Sequence, residues 1–512
     1  MVMTPAGMAR GLQTSSTSSR FVVRYATAAR WELPKPVTTW ATPGNNVNQL
    51  PPMCPQPGAD SSAYSEDCLH MIIYTPSPSM NTLSKVPVLV WIHGGSFMVG
   101  SATAPGLDGS ALAKATNSIV AVIQYRLGAL GFVPPSAANA NTNLGVRDMI
   151  TALQLINKAV SSFGGDSSQV TIAGQSSGGQ MIRALLASPS AAGLFKYASI
   201  HSDPMDYGFY KPATISTLQS FLYKNASTAL AACSASDIAC YRAVPVSEII
   251  NAQGNLLGAA PSLDPVTAGG SPIRPVHDGQ LIQYTLTGNS FPPTGLKNVM
   301  VMTVKDEAAP TIGGFYGQPV GPEAVDPTII GYYNPDPRGT EIVSSGNYDP
   351  NAYAAQAGVP SNDVARFTMT QLFTDALWRC PSWTFSRTWS SKGGKVYTGE
   401  YQIGATYPSN SDNSYCVGKV CHEDDIYILF GTTPSPNAAQ TAMTQEIQAR
   451  YTAFMRTGVP NPATGSYATW AQSGSTDVAA LKLGGSGTRA AEACDPSFWG
   501  NAVKYDYQVF GL

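Results

Sequence analysis

The chain has 512 residues, of which only 12% are charged, and a formal net charge of −2. Totals so balanced exclude the broad basic face that nucleic-acid binding demands, and no apolar run approaches the roughly 20 residues of a membrane-spanning helix. Hydrophobic residues make up 43%, so the 48 glycines and 39 prolines point to many ordered loops around a scaffold rather than to disorder.

In chain order, the opening stretch "MVMTPAGMARGLQTSSTSSR" lacks the apolar core of a secretory signal. Residues 1–18 are expected to form a poorly ordered extension. No internal repeat or low-complexity linker divides the remainder of the chain, and one domain over 1–512 is expected. Short apolar, β-branched runs then read as strands: "VPVLVWIHGG", "SIVAVIQYR", "QVTIAG" and "NVMVMTVKDE". Between them "GVRDMITALQLINKAVSSF" and "QMIRALLAS" carry apolar residues at three- and four-residue spacing and read as helices. Apolar strands alternating with crossover helices predict an α/β fold with a largely parallel sheet covered on both faces. The Pro- and Gly-rich stretch 318–362 reads as a long surface excursion.

The chemistry concentrates where "QVTIAG" meets its helix. Gly174, Ser176 and Gly178 satisfy G-x-S-x-G, which holds a serine on a strained strand-to-helix turn with its hydroxyl exposed. Helical character is expected from about Met181. A hydroxyl is a weak nucleophile near neutral pH, so Ser176 needs a base and the base needs an orienting acid. Among five histidines, His70 and His277 sit in structural settings, His93 precedes a glycine pair as a loop-shaping residue, and His201 follows the strand-like "YASI" as a rival. His422, in the late polar loop "CHEDDIYILFG", suits the chain order serine, acid, histidine. For the acid, "NVMVMTVKDEAA" offers Asp306 and Glu307, between which local physics does not choose; Asp278 has a turn-like Asp-Gly setting. Glycines after the strand in "WIHGGSF" let consecutive N–H groups face a developing oxyanion, with Gly95 and Ser96 as donors completed by Ser177 at the helix start.

The eight cysteines, three close pairs and two distant singles, favour disulfides over metal. No CxxC occurs, and the group Cys416, Cys421, His422 and Asp424 lacks a second ligand cluster. Disulfides imply an oxidising compartment and hence a secreted protein; the sequon at Asn225 fits a surface loop of such a protein.

These segments resemble the type-B carboxylesterase family, the α/β-hydrolases that include cholinesterases and large fungal esterases and lipases. "SEDCLHMIIYTP" is similar to the family's SEDCLYLNVY signature, "WIHGGSFMVGS" to its oxyanion segment, "QYRLGALGF" to its NYRxGxxGF strand and "FGGDSSQVTIAGQSSGG" to the approach to its nucleophile. "VKDEAA" resembles its acid loop, "CHEDDIYILFG" its histidine loop and "YTAFMRTGVPNP" a late helix and turn. The resemblance implies Ser176 as nucleophile, Glu307 as acid, His422 as base and Gly95, Ser96 and Ser177 as the oxyanion hole, without a cofactor. It also implies the pairs Cys54–Cys68, Cys233–Cys240 and Cys380–Cys494; Cys416 and Cys421 remain, and are expected to pair as a small loop tightening the approach to His422.

The implied activity is hydrolysis of small or medium soluble carboxylic esters. The alternatives are a noncatalytic adhesion module of the same fold, or a lipase or sterol esterase. Three departures from the family pattern stand out. Gln175 replaces a glutamate before the nucleophile, so His422 is expected to titrate lower than in a glutamate-bearing relative; Ser96 replaces a glycine of GGG; and His201-Ser202-Asp203-Pro204 replaces QSGS, putting the contacts that Ser202 would make behind the triad in question. The Cys54–Cys68 loop is too short for an amphipathic lid and lacks the tryptophan that holds a choline-type cation, so neither interfacial activation nor such a site is expected.

Overall fold

A computed structural model describes residues 1–15, 18–40, 48–76, 85–138, 142–268, 271–355, 358–485 and 494–512. Its centre is a ten-stranded sheet. In chain order the strands are β1 (Gly11–Ser15), β2 (Ser18–Arg24), β3 (His70–Thr75), β4 (Val86–Ile92), β5 (Ile119–Ile123), β6 (Gly165–Gln175), β7 (Tyr197–His201), β8 (Asn298–Val304), β9 (Val396–Tyr401) and β10 (Leu481–Leu483). The spatial order is β10-β9-β8-β7-β6-β4-β5-β3-β2-β1. Pairings from β10 through to β5 are parallel, and β3, β2 and β1 extend the far edge antiparallel.

The strand pleat explains why the central runs read as continuously apolar. Along β4, Val88, Val90 and Ile92 enter one core while Leu89 and Trp91 enter the core on the opposite face. Helix α1 (Leu144–Ala159) and helix α2 (Ser177–Leu186) pack in the first core, and α7 (Ala438–Thr457), through Ile447, Tyr451 and Phe454, in the second. A third apolar cluster draws on α3 (Ala309–Phe315), α4 (Val325–Tyr333), α5 (Val364–Thr374) and α6 (Cys380–Ser391). All four disulfides form as expected: Cys54–Cys68, Cys233–Cys240, Cys380–Cys494 and Cys416–Cys421.

Two expectations need correction. Segment 1–18 is not a loose extension: Val2–Thr4 pairs with Gly7–Ala9, and β1 pairs with β2, which joins the main sheet. Its many small and polar residues hid this pairing, although Val2, Ala6 and Ala9 are buried in the core; residues 16–17 lie outside the described residues. Nor is 318–362 a mere surface excursion. It holds α4 and the helix Arg338–Ser345, with Val325, Ile329 and Ile342 buried, because prolines and glycines there punctuate short helices rather than abolish them.

Candidate active site

β6 lies mid-sheet, and its register sets the site. Gly174 pairs with Ile92 at the end of β4, and Gln175 pairs with His201 at the end of β7. Three carboxyl ends therefore open onto one crevice, the position where parallel sheets bind ligands.

Ser176 comes next with φ 58° and ψ −126°, a conformation L-residues avoid at a cost of order 1–3 kcal/mol. The turn is clamped: the Ser176 N–H donates to the His201 carbonyl at 2.9 Å, and its own carbonyl accepts from the Gln180 N–H at 3.1 Å. A Cβ on Gly178 would stand 2.2 Å from the Ile92 carbonyl oxygen, and one on Gly174 2.7 Å from the Gly178 oxygen. Both glycines are thus required by backbone contact. Helix α2 begins at Ser177 rather than near Met181, because the turn itself is the first helical turn.

The loop after β4 is equally constrained. Gly95, Ser96 and Phe97 adopt φ of 106°, 54° and 59°. Among the described residues the backbone N–H groups of Gly95, Ser96 and Ser177 donate to no group of the chain. Ser177 has a role that motif reading missed: its Oγ accepts the Phe97 N–H at 3.1 Å, pinning the glycine loop to the helix start. Behind it, the Tyr125 hydroxyl is hydrogen-bonded to Ser177 and donates to the His93 carbonyl at 3.0 Å. The His93 ring stacks on Tyr125 at 4.6 Å and its Nδ1 is 2.8 Å from the Gly94 carbonyl oxygen, the loop-shaping role expected of it. Burial pushes the His93 pKa down to about 4, so the ring stays neutral.

On the other side, His422 Nδ1 and Glu307 Oε2 are 2.6 Å apart, and Glu307 Oε1 accepts the Val304 N–H at 2.9 Å. Glu307 is thus the carboxylate that meets the imidazole. Asp306 points elsewhere, its Oδ2 accepting the Val420 N–H at 3.1 Å, and Asp278 accepts three backbone N–H groups of its own turn. The histidine loop is shaped by the Cys416–Cys421 disulfide, by Asp424 accepting the Cys421 N–H at 2.8 Å, and by the Asn410 amide donating to the His422 carbonyl at 2.7 Å. Burial works against a charged His422 ring, but the hydrogen bond and charge of Glu307, with Glu423 and Asp425 adding, hold its pKa above the ordinary histidine value.

Gln175 reaches this ring: its Nε2 lies 3.2 Å from His422 Nε2. With Nδ1–H given to Glu307, Nε2 is the lone-pair end, so the amide donates to it. Gln175 is fully buried, and its Oε1 has no partner among the described residues. Ser202, the other neighbouring residue in question, sits at φ 48°; its hydroxyl has no partner among the described residues and is hydrogen-bonded to neither Ser176 nor His422. The rival His201 is fully buried away from the crevice, bound to Asp425 Oδ2 at 2.6 Å and to the Tyr451 hydroxyl.

Ser176, Ser96, Ser177 and His422 line one cavity of about 700 Å³. Its remaining walls come from segments with no local motif: Phe315 on α3, Tyr332 on α4, Phe373 on α5, and Trp378, whose ring lies 5.5 Å from that of His422. Four-fifths of the His422 side chain is shielded from solvent.

Comparison with known proteins places the chain in a family. The family described as "Carboxylesterase family" matches residues 1–499. Carboxylesterase 1E of Rattus norvegicus is 27% identical over 478 residues, covering 84% of this chain and 79% of that protein. The para-nitrobenzyl esterase of Bacillus subtilis (strain 168) is 39% identical over 183 residues, 34% of this chain and 36% of that protein. Liver carboxylesterase 1 of Oryctolagus cuniculus is 38% identical over 184 residues, 33% of this chain and 32% of that protein. With the match running almost from end to end and a large, mostly parallel ten-stranded sheet of the α/β-hydrolase kind, the chain belongs to the carboxylesterase family and is a serine carboxylesterase.

Proposed function

We propose that Ser176, His422 and Glu307 act as the triad that hydrolyses the ester bond. Ser176 Oγ attacks the carbonyl carbon while His422 Nε2 takes its proton, and Glu307 holds the ring by Nδ1 and stabilises the imidazolium. The oxyanion that forms is met by the N–H groups of Gly95, Ser96 and Ser177. Collapse expels the alcohol, which leaves with the proton from His422. Water then attacks the acyl-serine by the same path in reverse, and the carboxylic acid departs. For Ser176 to bond the base, Nε2 must be shared with or released by Gln175; catalytic hydrogen bonds often tighten only once substrate is bound.

The observation that carries this reading is the 2.6 Å contact between Glu307 and His422 Nδ1, with the imidazole on the same cavity wall as Ser176. The cavity volume suits small to medium esters, and four disulfides support an extracellular setting. A chain-length series of chromogenic esters, assayed with wild type, Ser176→Ala and Glu307→Gln, tests it. Ser176→Ala is expected to abolish burst-phase release and Glu307→Gln to lower kcat by about 10³- to 10⁴-fold. Undiminished turnover by Ser176→Ala would overturn the assignment. Rates should follow dissolved monomer, with no jump at the solubility limit.

A further inference from the structure

We propose that Gln180 is a specificity-determining residue, and that the ester accepted carries, close to its scissile carbonyl, a hydroxyl that the Gln180 amide recognises. The inference rests on the reading of Ser176 as nucleophile. Gln180 is 1% exposed and lines the catalytic cavity, yet both its Oε1 and its Nε2 lack a hydrogen-bond partner among the described residues. Buried side-chain amides are nearly always satisfied, and two unmet ends on one of them call for an explanation in a ligand. On the same wall only Trp378 Nε1 is also buried without a partner among the described residues, a single donor beside the two unmet ends of Gln180. The Tyr207 and Tyr332 hydroxyls are hydrogen-bonded to one another, and the Ser271 carbonyl accepts the Arg274 Nε–H at 2.6 Å.

Position gives the chemistry. Gln180 follows Ser176 by four residues, about one helical turn, so its Cα stands roughly 6 Å along the axis from that of the nucleophile, and both side chains line the same cavity. The group that answers it lies several bonds from the reacting carbonyl, within reach of a ring substituent on either half of the ester. An amide offers one acceptor and two donor hydrogens, and a hydroxyl both donates and accepts, so a hydroxyl can meet either end of Gln180. Phe315, Phe373 and Trp378 also line the cavity, and aromatic walls suit a flat apolar body bearing that hydroxyl. A site built to hydrogen-bond a substrate hydroxyl rejects the analogue lacking it far more strongly than an apolar pocket separates similar chains.

The hydroxyl can sit on the acyl or the alcohol half, and the test has an arm for each. Wild type and Gln180→Met are compared on ethyl 3-(3-hydroxyphenyl)propanoate against ethyl 3-phenylpropanoate, and on 3-hydroxybenzyl butanoate against benzyl butanoate. The readout is the kcat/KM ratio within each pair. Wild type is expected to favour the hydroxylated ester by roughly 10- to 100-fold on one arm. Gln180→Met is expected to bring that ratio to about one, and, having lost an unsatisfied amide for a side chain of similar shape, to melt no lower than wild type. Ratios near one on both arms for wild type, a preference surviving in Gln180→Met, or a lowered melting temperature, which would mark a structural amide, would each overturn the proposal. Turnover of p-nitrophenyl acetate separates the two readings: it persists, and requires Ser176, when only the Gln180 inference fails.

Discussion

Gln175→Glu places a carboxylate where an amide now meets the catalytic ring. The two nitrogens are 3.2 Å apart, and Gln175 is fully buried. A unit negative charge at that distance stabilises the imidazolium by about 1.3 kcal/mol even with the dielectric of water, or about one pKa unit, and by more in a buried setting. Burial also raises the new carboxyl's own pKa and removes part of its charge, so an upward shift of about one to two units is expected for His422. The base works as neutral imidazole, so a higher pKa moves the acidic limb of the kcat/KM profile to higher pH by the same amount. A neutral ester assayed between about pH 5 and 9 reads the shift directly. An acidic limb that stays in place, or moves to lower pH, would refute the claim that residue 175 sets the charge felt by His422.

Three further outcomes come from the geometry. Ser177→Ala removes the acceptor of the Phe97 N–H and should lower kcat about tenfold by loosening the donor loop, at a stability cost of about 1 kcal/mol; steady-state kinetics with a denaturant titration would show a purely structural role if only stability fell. Gly178→Ala forces a methyl to 2.2 Å from the Ile92 carbonyl oxygen and should cost about 3 kcal/mol or more, visible as a lowered melting temperature and lost soluble yield; normal folding would show the elbow to be looser than described. His93 has its folded pKa depressed to about 4 against an unfolded value near 6.5, so the unfolded chain binds the extra proton as pH falls through that window and stability drops by about 3 kcal/mol. His93→Phe, which keeps a ring against Tyr125, should flatten the stability slope between about pH 6.5 and 4; an unchanged slope would show that His93 does not titrate there.

The sequence made the elbow, the donor loop and the central strands legible because each is a local pattern: glycines where backbone passes close, and apolar runs that end in them. Other features depend on contacts between distant residues. Asp306 and Glu307 are equivalent as neighbours in sequence; what separates them is that Val420 occupies one and Val304 orients the other toward His422. Gln175 and His422 are 247 residues apart, so a substitution legible as a departure gave no sign of which atom it would touch. The cavity walls come from Phe315, Tyr332 and Trp378, in segments whose prolines and glycines read as irregular. Gln180 passed unremarked within the expected helix, because its unmet amide becomes visible only when its surroundings are known.

The central claim is that Ser176, Glu307 and His422 form one reactive unit. The most direct test is reaction with a fluorophosphonate, with intact-mass measurement and peptide mapping, in wild type and His422→Ala. Wild type is expected to gain one phosphonyl group, on the peptide carrying Ser176, and His422→Ala to react at least about 10³-fold more slowly. Labelling at another residue, or equal rates in the two proteins, would contradict the account.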